Sequence, residues 1–210
     1  MDFDSQGPGK KKPKTTGRWD DVREEALTLL SERGYHGTTM KLLAARLGVQ
    51  APSLYNHVGS KQEILSRIMV TGIDRLLAGQ DKALNSSSDP AEQLRAMTES
   101  HVLIHIRHRR SAVTGDRELA NLAEPDQSYV RSARDRYEHR VRQTIAKGVK
   151  AGVFSVSSEK LASFAVIEMA SSVSVWFRES GPLEDLEVAR EYGKMALRIV
   201  AYRPAIDTAR

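Results

Sequence analysis

In TTMKLLAARLGVQAPSLYNHVGSKQEIL, residues 38–65, helical apolar spacing is broken twice, at Leu47-Gly48-Val49 and at Val58-Gly59-Ser60. Met40, Leu43, Ala44 and Leu47 can share one face of a two-turn helix over 39–46, which Gly48 then stops. A second short helix follows from about Gln50 to His57, with Pro52 in its first turn, where a missing N–H costs little. Ser60 and Glu63 form the S-x-x-E capping box of a third, longer helix. Two short helices around a glycine turn make the helix-turn-helix arrangement. In it the first helix braces the second across a DNA backbone, and the second enters a major groove about 12 Å wide.

The residue types suit that placement. Leu43, Ala44, Leu47, Val49 and Leu54 can pack inward, which leaves Gln50, Ala51, Ser53, Tyr55 and Asn56 facing outward or edge-on. Gln and Asn pair bidentately with adenine, Ser reads several base edges, and an alanine methyl meets a thymine methyl. Thr39, Tyr55, His57 and Lys61 suit phosphates, Lys61 lying in the first turn of a helix whose positive end also favours an anion. The spacing alone also fits an ordinary helical hairpin with a polar surface.

Outward from this segment, Val22, Ala26, Leu29 and Leu30 predict an amphipathic helix from residue 18 to about 32, ended near Gly34. The helix opened by Ser60 should run to about Leu84, and Asn85 to Pro90 reads as a loop. Further helices are expected near 90–110, 116–122, 126–151, 158–179 and 184–203, and no segment alternates as a strand does. The expected fold is all-α: an N-terminal three-helix bundle with a helix-turn-helix, then a larger helical bundle for ligand binding and dimerisation. Residues 1–17 read as a disordered basic arm, 18–65 as the DNA-binding domain and 66–205 as the effector and dimerisation domain.

Composition narrows the function. The chain has 210 residues, a formal charge of +5 and no cysteine, so a disulfide framework, a thiol nucleophile and a thiolate metal site are excluded. It has no run of 18 apolar residues and no signal-peptide core at its start, so no membrane association and a cytoplasmic location are expected. The polar start, with Lys10, Lys11, Lys12, Lys14 and Arg18, suits tracking of a polyanion or serves as a solubilising tail. No glycine-rich phosphate loop, G-x-S-x-G or H-E-x-x-H occurs, so neither enzymatic activity nor a cofactor is expected.

In the second domain, the helix over 158–179 has more apolar positions than one face needs, which implies burial on both sides. Phe164, Ile167 and Val175, with Tyr192, Met195 and Ile199 of the last helix, are the expected homodimer interface, a four-helix contact about a twofold axis. Gly193 would allow close approach there; the surplus apolar residues could instead fill a monomer core. Met97, His101, His105, Tyr137 and Trp176 are the candidate effector-binding residues, since small-molecule sites mix apolar and polar linings. His101, His105 and His108 have metal-compatible spacing, but no carboxylate or cysteine sits at a matching interval; they read as a partly exposed polar stripe and no metal is expected. Arg107, Arg109, Arg110 and Arg117 could hold a phosphate-bearing effector or form a solvated helix end.

At this point the residues carry a resemblance. Ala26-x-x-Leu29-Leu30, Gly34-Tyr35, Thr38-Thr39, Leu43-Ala44, Leu47-Gly48-Val49, Ser53-Leu54-Tyr55-Asn56-His57 and Ser60-Lys61-x-x-Ile64 resemble the DNA-binding domain of the TetR family of bacterial transcriptional regulators. The resemblance implies a homodimer, usually a repressor, that binds a palindromic double-stranded DNA operator and is released by a small effector in the larger domain. An activator or ligand-requiring regulator, or an architectural DNA binder, is the alternative. By motif position, Thr39, Tyr55, His57 and Lys61 match backbone-contacting residues; Gln50, Ala51, Pro52, Ser53 and Asn56 occupy the base-facing region. Asn56 stands where many members carry an aromatic or charged residue, and Val58 where phenylalanine is usual. More loosely, Arg131 to Tyr137, Gly148-x-x-x-Gly152-x-Phe154 and Val173 to Phe177 with Gly181-Pro182-Leu183 resemble regulators of acyl-CoA, fatty-acid or steroid degradation, which implies a lipid-like or CoA-linked effector.

Overall fold

Helices α1 (Trp19–Gly37), α2 (Met40–Leu47) and α3 (Ala51–Tyr55) precede the long α4 (Lys61–Ser86) in the computed structural model, which describes residues 19–204. Then come α5 (Pro90–Arg107), α6 (Arg109–Glu118), a 3₁₀ turn (Leu119–Asn121), α7 (Asp126–Lys150), α8 (Glu159–Trp176) and α9 (Asp185–Ile199). The described residues contain no strand, and the fold is all-α as expected. No helix among them is long and apolar enough to cross a membrane. The basic arm expected over residues 1–17 lies outside the described residues.

The chain divides into two compact units, one ending at Glu63 and the other beginning at Ile64. In the first, Val22, Ala26, Leu29 and Leu30 are all buried and form the inner face of α1. The backbone leaves helical geometry at Gly34 (φ 66, ψ 179), where the apolar spacing stops, and a final turn carries α1 to Gly37. Thr39 caps α2 by accepting from the Leu42 N–H at 3.1 Å. Gly48 ends α2 in the left-handed region (φ 72, ψ 27), donating to the Ala45 carbonyl while Val49 donates to Ala44. This closure needs positive φ, which costs a glycine nothing and a branched residue a great deal. At α4, Ser60 accepts from the Glu63 N–H at 3.1 Å; the Glu63 carboxylate reaches back one residue further than the usual box, to the Gly59 N–H at 2.7 Å.

In the second unit α5 packs against α6, α7, α8 and α9. Leu94, Met97, Ile145, Val166, Ala196 and Val200 form one buried cluster, and Val102, Val173, Phe177 and Val188 another. A helix surrounded in this way buries its polar residues too, which explains why His101 and His105 are 4% and 6% exposed where a partly exposed stripe was expected. The helix expected over 90–110 is also shorter. His108 takes a non-helical φ of −123 and ψ of 35, and α6 restarts at Arg109 and runs through residues 111–115, where a connection was expected. Gly193 serves the chain's own packing: a Cβ there would lie 2.9 Å from Glu99 Cγ on α5.

Candidate nucleic-acid interface and internal cavity

The recognition helix α3 has one buried residue, its anchor. Leu54 is 2% exposed, and the surrounding Gln50, Pro52, Ser53, Tyr55, Asn56 and His57 are exposed, with Ala51 half-buried. Pro52 occupies the first turn of α3, and Gln50 precedes that helix in extended conformation with its side chain outside any cap. Among the described residues, no base-facing candidate has its side chain committed to a hydrogen bond within this unit. The backbone-contact candidates differ. Thr39 is exposed but its oxygen already caps α2. Lys61 is half-buried: its ammonium donates to the Tyr35 carbonyl at 2.6 Å and the Thr38 carbonyl at 2.9 Å, and lies 3.8 Å from the Tyr35 ring centroid. It therefore ties the first turn of α4 to the connection between α1 and α2. Arg46, which sequence reading passed over, bridges α2 to α1 through Glu25 and Glu32 at 3.3 and 2.8 Å.

The second unit contains a partly open cavity of about 330 Å³ lined by residues of α4, α5, α6, α7 and α8. Ile68, Met69, Ile73 and Leu76 of α4, Ile104 of α5, Val130 of α7 and Phe164 and Ile167 of α8 supply its apolar surface. Three of the five candidate effector residues meet there: His101, His105 and Tyr137. Met97 is not among the lining residues; it is buried in the core, its sulfur accepting from Thr144 Oγ1 at 3.7 Å. Trp176 also lies away from the cavity. It is 40% exposed at the end of α8, where its indole donates to the Tyr192 hydroxyl at 3.1 Å and stacks on that ring.

His101 is the centre of the cavity's polar network. Its Nδ1 lies 2.9 Å from the Tyr137 hydroxyl and its Nε2 3.0 Å from Ser171 Oγ. The His105 ring stacks on it at 4.1 Å and 9°, and His105 Nδ1 donates to the His101 carbonyl at 3.1 Å. Burial pushes the His101 pKa well below the ordinary histidine value, and the neighbouring His105 adds to this. Burial lowers His105 as well, against its carbonyl bond and Asp116, and with Arg134 acting in the same direction as burial. Both rings are neutral at neutral pH, and burial raises the Tyr137 phenol, which keeps its proton. Ser171 was missed by sequence reading; its signal was a serine among the apolar residues of α8, at the register that faces α5.

The other candidates also have definite positions. Phe164 and Ile167, expected at a dimer interface, line the cavity, while Val175 at 68% and Met195 at 38% are exposed, and Tyr192 and Ile199 are half-buried. The arginine cluster is divided among separate partners: Arg107 pairs with Asp185 at 2.9 Å, and Arg109 donates to the Ser174 carbonyl at 2.7 Å. Among the described residues, no group of three or more His, Asp or Glu side chains is placed to hold a metal ion.

Comparison with known proteins bears on both sites. Residues 22–68 match the family model of bacterial regulatory proteins, tetR family, and residues 87–200 match the tetracyclin repressor-like C-terminal domain. The HTH-type transcriptional repressor KstR2 of Mycobacterium tuberculosis H37Rv is 25% identical over 177 residues, covering 83% of this chain and 88% of the relative. The TetR family transcriptional regulator PfmR of Thermus thermophilus is 36% identical, with a TM-score of 0.75 over 84% of this chain and 97% of that one. AibR, solved in complex with isovaleryl coenzyme A and operator DNA, shares the fold: its TM-score is 0.73 at 22% identity, over 88% of this chain and 99% of that one.

Proposed function

Because the chain belongs to the TetR family of bacterial regulatory proteins, and so is a DNA-binding transcriptional regulator, we propose that it is a homodimeric repressor of a palindromic operator, released when a small lipid-like effector occupies the cavity. The observation that carries this reading is the pairing of two sites in one chain. One is a helix-turn-helix whose outer face is polar and uncommitted around buried Leu54; the other is a mostly apolar cavity. Gln50, Ala51, Pro52, Ser53 and Asn56 read base edges, and Thr39, Tyr55, His57 and Lys61 meet the DNA backbone.

The outer surfaces of α8 and α9 support the dimer. Leu161 and Val175 are each 68% exposed, and Trp176, Leu186 and Met195 are exposed on the same two helices. Apolar side chains of this size left in water favour burial against a second copy. A twofold contact there would set two recognition helices at one helical turn of DNA, about 34 Å, or a multiple of it. Such a regulator acts in the cytoplasm, where the chromosome is.

The effector reading rests on α4. The helix begins at Lys61, beside the recognition element, and supplies Ile68, Met69, Gly72, Ile73, Arg75 and Leu76 to the cavity. A ligand that fits one position of α4 better than another shifts the population toward it, and with it the spacing of the recognition helices. The apolar lining favours a lipid-like body. The isovaleryl coenzyme A in AibR makes an acyl-CoA the related case, but here Arg107 and Arg109 are committed to Asp185 and Ser174.

The test is selection of binding sites from random duplex DNA with full-length protein at a fixed salt concentration, followed by titration of candidate effectors against the recovered site. One palindrome with evenly spaced half-sites, released by an apolar effector, is the expected result. Recovery of no sequence, or of a site bound more tightly with effector, overturns the repressor reading.

A further inference from the structure

The polar groups at the cavity wall specify more than polarity. His105 is 6% exposed, and its Nδ1 must carry a hydrogen to donate to the His101 carbonyl. In the neutral ring Nε2 is then a lone-pair acceptor, and no protein group among the described residues donates to it. The fully enclosed side-chain atoms without a partner among the described residues are Arg23 Nε and Gln93 Oε1, so His105 Nε2 is not sealed in by protein. A buried, unpartnered atom that is not sealed in faces the space its residue lines, which is the cavity.

The neighbouring network supplies a donor beside it. Tyr137 is 5% exposed and its hydroxyl has one partner among the described residues, His101 Nδ1. Only one arrangement gives the phenol hydrogen a protein acceptor among the described residues: the phenol donates to Nδ1 and the ring's hydrogen sits on Nε2. His101 Nε2 then donates to Ser171 Oγ, and the serine hydrogen, with no protein acceptor among the described residues, is left to the cavity. One wall therefore offers an acceptor on the His105 ring stacked over the face of His101 and a donor at the Nε2 edge of that ring. The charged lining residues are two arginines, Arg75 and Arg134, against four carboxylates, Asp116, Asp135, Glu138 and Glu168. An anion entering this cavity meets an excess of its own sign.

We infer that the cavity takes an uncharged, largely apolar molecule bearing a hydroxyl group, which donates to His105 Nε2 and accepts from Ser171 Oγ. This rests on the reading of the cavity as the effector site. The test uses full-length protein near neutral pH and three probes on one skeleton: 2-naphthol, 2-methoxynaphthalene and 2-naphthoate. Binding is followed by probe fluorescence, with release of the selected operator measured alongside. 2-Naphthol should bind about tenfold more tightly than the ether, which cannot donate, and naphthoate most weakly. His105→Phe should bring naphthol to within about twofold of the ether with the ether's own affinity kept, since only the acceptor is lost. Ser171→Ala should weaken naphthol several-fold and carries the test if His105→Phe does not fold. If alcohol and ether bind alike, or naphthoate binds best, the hydroxyl inference falls and the cavity remains the effector site. If none of the three binds, both readings fall.

Discussion

Along the recognition helix α3 and its flanks one buried side chain, Leu54, anchors six exposed ones, whereas at the cavity wall three polar side chains from three different helices hold one another. The first plan leaves polar atoms in water, where they cost nothing until DNA replaces the water. The second takes His101, Tyr137 and Ser171 largely out of water, so each must be partnered inside the protein. A surface built in the first way can change its outward residues with little effect on folding. A wall built in the second way links ligand chemistry to stability, because a change to one member strands another.

The largest effect should come from removing the single anchor. Leu54→Ala takes a fully buried leucine from a five-residue helix and should cost about 2–5 kcal/mol locally. Operator binding in a gel shift should be lost, while binding of 2-naphthol to the second unit is retained. If operator affinity survives, α3 is held by something other than Leu54 and the comparison fails on its first side. On the other side, Tyr137→Phe leaves His101 Nδ1 without a donor and should cost about 1–3 kcal/mol in urea unfolding with operator affinity little changed.

A smaller effect separates reading from holding within the recognition element. Gln50→Ala or Asn56→Ala should narrow the gap between operator and random DNA by about 1–3 kcal/mol with no change in stability, because neither side chain is committed within the fold. Lys61→Ala should weaken both DNAs alike. It should also lower stability by roughly 1 kcal/mol, since its ammonium holds the Tyr35 and Thr38 carbonyls. Equal loss of discrimination in all three variants would show that the reading face has been misplaced.

The contrast also explains what the sequence made legible. The α2–Gly48–α3 element and the inward places of Leu43, Ala44 and Leu54 follow from local rules: helical period, a left-handed turn that wants glycine, a capping Thr39. Those rules act over a few residues and need no knowledge of the rest of the chain. The cavity is assembled from five helices, so His101 and His105 could be named as candidates while their burial, their stacking and the Ser171 contact could not. Met97 and Trp176 show the limit directly. Both have the right chemistry for a lining, and helix packing puts one in the core and the other on the surface. The restart of the chain at Arg109 was hidden for a similar reason, since His108 leaves helical geometry without a glycine or proline to announce it.

The dependence of stability on pH is the most diagnostic of the second plan, and its sign follows from burial. Burial, reinforced by His105, holds the His101 pKa well below its ordinary value of 6.5. Burial and Arg134 hold His105 down, with its carbonyl bond and Asp116 opposing them. A depressed pKa means the folded state refuses a proton that the unfolded chain accepts. The stability these rings contribute is therefore complete above about pH 6.5 and is lost as the pH falls from there toward their folded values, at up to about 1.4 kcal/mol per pH unit for each proton concerned. Glu92, which Arg95 holds below the ordinary carboxylate value of 4.5, changes charge only in more acid solution and leaves this window to the histidines. Urea midpoints should fall between about pH 7 and pH 5 in the native protein. His101→Gln/His105→Gln should be less stable at neutral pH and flatter below it. An equally steep fall in that variant would mean that other groups set the pH dependence, which would remove the buried, proton-refusing rings on which the contrast with the recognition element depends.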